Sequence, residues 1–504
     1  MTPWPSPCRT ALALAVSGLL ASTLVTTVTS ATAAASPKIV IRASLSGFAS
    51  SNTASAAKGL LAATAQYEKA HPSVKVQWLP GPEGGTPSIV ESNAQVETLA
   101  AGGDAPDIVW EQYGPIISGS LPAGLLQNMT PFLEKPNPYV PGNKKWLSLY
   151  SPSVVPYMKA PNGHIKVILG SAVEDGFIYN KADFKKAGIT TVPATWAAFI
   201  ADLSKLKAAG LTPFIFADGS FDNPSWFERM VATSLLANQV NKFNVSHSIG
   251  VTSSLDVAVG IHKGIISMSN PSYAEGWKLL GQLARYSMTG ESTYNANSPV
   301  TATTPPLSVV PLFTQGKVAV IWDGNFTIPS LDQLGFANKF GVFPEPTITK
   351  ATTPLALGTP TQGAIGGPNG VGQWSITSEK ADHTMTPEKT KVVMNFLAWL
   401  FAPKNVDLWL KPTNTDDIPT EPSVPKPNVP GLESLVPKGK VPITVDVLLD
   451  DVLGAAASTS ALRLVQDYVD GSSSYAAFSS QWQSLLTTSA ESWAAQNHVN
   501  LNKY

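Results

Sequence analysis

Two short runs in the 504-residue chain set an indole beside a carboxylate and an amide: Trp110-Glu111-Gln112 and Trp322-Asp323-Gly324-Asn325. The indole offers a flat apolar face, the carboxylate accepts hydrogen bonds, and the amide both donates and accepts. A molecule with hydroxyls around its edge and C–H groups on its faces, as a sugar ring has, calls for that mixture. Other positions join the set. Phe48 lies in a loop rich in Ser, Gly and Asn, Glu174-Asp175 leads into an apolar run, and Trp226 follows the loop 218–224. Gly366 and Gly367 would let backbone approach a ligand closely. Each has a plainer alternative. The tryptophans can be core residues with helix-capping neighbours, Glu174-Asp175 a solvated turn, and the glycines an ordinary turn. Trp399 and Trp409 fall in a helical stretch and read as core.

Catalytic chemistry finds less support. The six histidines (71, 164, 247, 262, 383 and 498) are scattered and show no His-Glu-x-x-His spacing. There is no Gly-x-Ser-x-Gly elbow, no phosphate-binding P-loop and no Gly-x-Gly-x-x-Gly run. A glycoside-processing enzyme needs two carboxylates across the scissile bond, and no strand-end motif announces such a pair. That enzyme class stands as the alternative; binding without catalysis, and without cofactor or metal, is the expectation. Within the binding class, an acidic or basic lining would favour a peptide, polyamine or metal complex over a neutral sugar.

The elements that must position these residues follow from periodicity. Ile39-Val40-Ile41 reads as a strand, and Ala57, Leu60, Leu61, Thr64 and Tyr67 share one helical face that ends at His71-Pro72. Val74, Val76 and Trp78 alternate as a strand, Ser88 to Gly102 is helical, and Asp107 to Trp110 is a short buried strand. Such a β-α-β-α-β run builds a parallel sheet. Lys144 to Gly170 is poorly patterned and reads as the first crossing between lobes. Beyond it, Phe177 to Tyr179 is a strand with Asn180 capping the next helix, which Gly188 ends; Thr195 caps another, ended by Gly210. Pro213 to Phe216 and Val318 to Trp322 are strands. Ser225-x-x-Glu228 and Ser272-x-x-Glu275 match capping boxes. A strand at Trp374 to Thr377 precedes a helix from about Pro387 to Leu410, broken late by Pro403. After the Pro-rich span 412–442 the chain ends in helices.

Length favours two lobes over one core. Hydrophobic residues at 43% and charged ones at 14% fit a globular protein, and a net charge of −1 without basic runs gives nucleic acid nothing to bind. The N-terminus reads as a signal peptide over residues 1–35: Arg9, an apolar stretch Ala11 to Val28, then Ala33-Ala34-Ala35. The single cysteine, Cys8, precedes the apolar stretch, so no lipid-attachment cysteine follows it and none survives cleavage.

Four stretches in order resemble one family. Gly103-Asp104-Ala105-Pro106-Asp107-Ile108 resembles its "Gly-Asp-x-Pro-Asp-hydrophobic" segment, and Tyr179-Asn180-Lys181 through Phe184 to Gly188 resembles "Tyr-Asn-Lys-x-x-Phe-x-x-x-Gly". Pro193-Ala194-Thr195-Trp196 resembles its "Pro-x-Thr-Trp" helix start, and Phe313 to Val320 its "Phe-x-x-Gly-Lys-x-Ala" segment. Gly366-Gly367 before Trp374 and Ile418-Pro419 fall in the family's expected places. The chain is thereby similar to the sugar-type, maltose-binding-protein-like extracellular solute-binding proteins of ABC importers. The resemblance implies an α/β, two-lobed periplasmic-binding-protein-like fold, its discontinuous lobes joined by a hinge. The expected N-terminal lobe comprises residues 36–150 and 362–412, the C-terminal lobe 151–361 and 413–504. It further implies a monomer outside the cytoplasm that captures a carbohydrate between the lobes and hands it to membrane permease subunits. The first strand lacks the aromatic many relatives carry, and residues 162–170 lack their "Tyr-x-Leu-Pro", which leaves the ligand class open.

Overall fold

The computed structural model describes residues 39–45, 55–79, 97–110, 124–366, 373–413, 417–426, 428–429, 431–437 and 439–504. The expectations for Phe48, Glu111, Gln112, Gly367, residues 1–35 and most of the helix at 88–102 fall outside them. Among the described residues no helix is long and apolar enough to cross a membrane.

Two sheets organise the chain. The first contains β1 (Ile39–Ser44), β2 (Val74–Leu79), β3 (Ile108–Trp110), β4 (Ile168–Leu169) and β12 (Gln373–Ile376), in the order β2-β1-β3-β12-β4. β1 runs parallel to β2 and β3, as the β-α-β-α-β reading requires, and β12 enters antiparallel with Trp374 opposite Trp110. The alternation of Val74, Val76 and Trp78 puts all three inward, against the buried face of the Ser55–Ala70 helix. The second sheet has the order β11-β6-β10-β7, with β6 (Asp175–Asn180), β7 (Phe214–Ile215), β10 (Val320–Gly324) and β11 (Phe340–Phe343). β10 is parallel to β7, and both β10 and β11 are antiparallel to β6. β7, β10 and β11 therefore run the same way, and their carboxyl ends share one sheet edge with the start of β6. β8 (Tyr294–Asn295) and β9 (Leu307–Ser308) form a small parallel pair.

Each sheet anchors its own apolar core. One gathers Ile41, Tyr67, Trp78, Ile108, Ile168, Trp374 and Trp409; the other gathers Phe177, Phe199, Phe227, Trp277, Val320 and Trp482. Between the sheets the strands β5 (Ser171–Ala172) and β13 (Ile418–Pro419) pair antiparallel, Ile418 opposite Ala172. The chain leaves the first sheet after β4, returns to it at β12, and leaves it again before β13.

The span Lys144–Gly170, expected as the first crossing, is corrected by this arrangement. Trp146, Tyr150, Tyr157, Met158, Ile165 and Val167 pack into the first core, and β4 joins the first sheet. The chain leaves the first sheet only after β4. A Cβ on Gly170 would lie 2.7 Å from the Phe401 ring and 2.8 Å from that of Trp409, so glycine lets the backbone pass close against both rings.

Helix signals held where the cap stood alone. The Asn180 side chain accepts from the backbone N–H of Ala182 and Asp183, and the Thr195 hydroxyl from that of Ala198. The two capping boxes do not form. The helix expected to open at Ser225 begins at Asp222, and Ser225 instead bonds back to the Asp222 carbonyl. At the other, Asn270 caps Ser272 ahead of Pro271. A complete capping box occurs at Ser253 and Asp256.

Candidate ligand site

The shared edge of the second sheet brings together most of the described residues singled out from sequence. Gly324 pairs with Asp175 and Asp323 with Gly176, so the end of β10 and the start of β6 lie side by side. Asn325 fixes that junction. Its Oδ1 accepts from the Glu174 backbone N–H at 2.7 Å, and its own N–H donates to the Glu174 carbonyl at 3.2 Å. Trp322 stacks on Phe177 at 5.0 Å and 21°, meets Trp226 at 6.0 Å and 58°, and donates its indole N–H to Glu345 at 3.3 Å. Gly366 abuts the same edge: a Cβ there would lie 2.6 Å from the Val173 carbonyl oxygen and 3.2 Å from Asp175 Oδ2. Trp110 is not part of this group. It sits on β3 in the first core. Both Trp322 and Trp110 are packed within their cores, at 1% and 5% exposure.

Sequence reasoning missed the acidic residues that converge here. Asp222 opens the helix Asp222–Leu236, Trp226 follows one turn on, and Arg229 one turn beyond that. Glu345 follows β11 directly, between Pro344 and Pro346. Asp446 and Asp450 arrive from the segment after the Pro-rich span. Arg229 donates Nε to Asp446 at 3.0 Å and Nη1 to the Ile365 carbonyl at 2.8 Å, and its Nη2 pairs with Asp450. Glu228 faces away and accepts from the backbone N–H of Leu448 and Leu449. The one weak signal was a carboxylate after an apolar run, at Glu345 and Asp323; nothing local marks Asp446 or Asp450.

The electrostatics follow from burial with too few cations. Burial pushes the Asp175 carboxyl up to about 7; Arg229 pulls it down, while Asp222 and Asp450 add to the rise. Burial raises Glu345 to about 8, with Asp175 adding to it. Asp323 is held well above the carboxylate range, first by burial and then by Asp222 and Asp175, although Thr327 and the Gly324 N–H bond it. Oδ1 of Asp175 and Oδ2 of Asp323 have no hydrogen-bond partner.

The "Gly-Asp-x-Pro-Asp" stretch has a different task. Asp107, fully buried, accepts from the Arg42 backbone N–H at 2.7 Å and pairs with Lys389 at 2.5 Å. It ties β1, β3 and the start of the helix Pro387–Leu400 together. Burial, then a hydrogen bond with Asp382, raises it to about 6.

Two sheets with separate cores, and a chain that passes between them more than once, describe a two-lobed fold. The sequence matches the family described as "Bacterial extracellular solute-binding protein" over residues 50–407, and the chain belongs to that family. Its members act outside the cytoplasmic membrane and bind small molecules. No curated protein matches the sequence. Among solved structures, the chain is similar to a probable secreted solute-binding lipoprotein from Streptomyces coelicolor (TM-score 0.62, 15% identity, 90% of this chain and 99% of that one). It is also similar to apo RafE from Streptococcus pneumoniae (0.62, 16%, 90% and 99%), for which a raffinose complex matches as well. A third is the cyclic alpha-maltosyl-1,6-maltose binding protein from Arthrobacter globiformis (0.58, 14%, 91% and 100%). At these identities the likeness carries the fold: the two-lobed, periplasmic-binding-protein-like architecture.

Proposed function

We propose that the protein captures a carbohydrate, an oligosaccharide by preference, between its two lobes and delivers it to the permease of an ABC importer. The observation that carries this reading is the sheet edge where Trp322 and Asp323, at the carboxyl end of β10, lie beside Asp175 at the start of β6, with Trp226 against Trp322; strand carboxyl ends are the usual ligand position in open α/β sheets. Family membership and similar structures named for sugars support it. On this reading Trp110, Glu111, Gln112 and Phe48 belong to the facing lobe, Glu174 and Asn325 shape the edge, and Gly366-Gly367 brings backbone to the ligand. Lobe boundaries fall near Gly170 and Gly366, with a third crossing before Ile418. Residues 1–35 act as a removable signal peptide, and the mature chain is a monomer.

A thermal-shift screen of mono- and oligosaccharides tests this, because a ligand that binds only the folded state raises the melting temperature by mass action. A sugar that stabilises the protein, is recovered uncleaved and reduces the radius of gyration in small-angle scattering is the expected result. No stabilisation by any sugar, or a cleaved product, overturns it.

A further inference from the structure

The second-lobe edge is short of positive charge. Arg229 is the cation among its carboxyls, and it is already engaged by Asp446, Asp450 and the Ile365 carbonyl. That leaves Asp175, Asp323 and Glu345 buried at 6%, 1% and 5% exposure, on three adjacent strand ends, with no side-chain cation among the described residues paired to them. Glu345 at least receives the Trp322 indole N–H, and Asp323 the Gly324 N–H. Asp175 is the starkest case. It is more than nine-tenths buried, its Oδ1 has no partner, and it feels Asp222, Asp323, Glu345 and Asp450 as well as Arg229. A buried carboxyl without a partner is costly unless something else supplies the missing charge or hydrogen bond.

The second, independent feature is aromatic. Trp226 and Trp322 lie 6.0 Å apart at 58°, and Trp322 donates its indole N–H to Glu345. An indole face attracts a cation through its quadrupole, more strongly where water is excluded. A carboxylate beside an indole can accept from a sugar hydroxyl, but two buried carboxyls on one face whose neighbouring cation is already engaged favour an ammonium group.

Resting on the carbohydrate reading above, we propose that the ligand carries a positive charge at this edge, as an amino sugar does, with its ammonium taken by Asp175 and Glu345, which share the Trp322 face of the sheet. The free amine of the sugar donates to the Asp175 Oδ1 that lacks a partner. Arg229 is then a positioning residue, holding Asp446 and Asp450 back from the ligand. The cover over the edge includes the Ile365–Gly366 crossing, which hinge opening would move.

The test is calorimetric titration of the full chain with glucosamine oligomers, their N-acetylated counterparts, neutral malto-oligosaccharides and spermidine. Glucosamine oligomers should bind at least about tenfold more tightly than the N-acetylated forms. Asp175→Asn, which keeps the shape, should weaken the amine-bearing ligand by roughly 10- to 100-fold, the worth of one charged hydrogen bond, and leave neutral sugars unaffected. Should Asp175→Asn fail to fold, Glu345→Gln carries the same expectation. Binding of neutral or N-acetylated sugars equal to or tighter than that of the amines overturns the inference and leaves the carbohydrate reading standing. Binding of spermidine without any sugar upholds the charge and overturns the carbohydrate reading. Failure of every cationic probe to bind overturns the inference.

Discussion

Glu421 gives the clearest quantitative test of the electrostatics, because its environment has a single cause. It follows the β5–β13 pair, is fully buried, and neither carboxylate oxygen has a hydrogen-bond partner. Burial alone raises it from 4.5 to about 8. The folded state therefore keeps a proton that the unfolded state releases. The sign follows: the group's full stability is present below about pH 4.5 and is lost as pH rises toward about 8, after which the loss is constant. Each pH unit inside that window is worth about 1.4 kcal/mol, so by pH 7 the cost reaches about 3 kcal/mol. Glu421→Gln abolishes the titration. The buried amide carries its own desolvation cost of about 1–3 kcal/mol, but that cost does not vary with pH. Urea unfolding of both proteins at pH 5, 6, 7 and 8 separates the two. The wild type should lose stability relative to the variant by about one proton's slope between pH 5 and 8. Parallel pH profiles would refute the reasoning and mean that Glu421 is hydrated or paired.

Three further changes test the packing. Trp322→Ala should cost about 3–5 kcal/mol in urea unfolding, since the ring is 1% exposed and stacked on Phe177; a loss below about 1 kcal/mol would take the ring out of the core. Arg229→Met strands Asp446 and Asp450 without their cation and should destabilise by roughly 3–5 kcal/mol, part of which Asp446→Asn in the same chain restores; a doubly substituted protein no more stable than Arg229→Met would argue against the pair. Asn180→Ala removes a side-chain cap from two backbone N–H groups and should cost about 1 kcal/mol, read as a shift in urea midpoint.

How legible the fold was depended on whether the signal was local. The strands β1, β2 and β3 and the helix between the first two carry their period in adjacent residues, and their parallel pairing followed from the β-α-β rule. Asn180 and Thr195 were readable as caps because each is followed at once by a helical run and a closing glycine in the left-handed region, Gly188 or Gly210. The Ser-x-x-Glu pattern misled because it also occurs inside helices. At Ser225 the helix had already begun at Asp222, with Pro224 in its first turn where a missing N–H costs nothing. At Ser272 the neighbouring Asn270-Pro271 is the better start. Residues 144–170 gave no period because they form two short 3₁₀ turns and a Lys159–Ile165 bridge rather than a long element, with their apolar side chains packed into the first core. The site divides the same way. Strand-end residues such as Trp322-Asp323 and Glu174-Asp175 stood out, whereas Arg229, Asp446 and Asp450 meet them only through tertiary packing.

The acids that the sequence did not announce bear on closure itself. On the capture reading proposed above, an open cleft would let water hydrate Asp175, Asp323 and Glu345, so each would ionise at little cost. Closing over an empty cleft removes that water, and the carboxyls must either take up protons or remain charged without a partner. Both penalise the closed, empty state. A ligand that brings a cation to this edge removes the penalty only when closed, which is the differential affinity a population shift requires. Arg229 cannot do the same from within the protein, because its guanidinium is committed to Asp446, Asp450 and Ile365. The edge thus combines a rigid aromatic platform, fixed by Phe177 and Asn325, with a charge deficit that the fold leaves unfilled. On this reading the deficit is what makes closure depend on the ligand rather than on packing between the lobes.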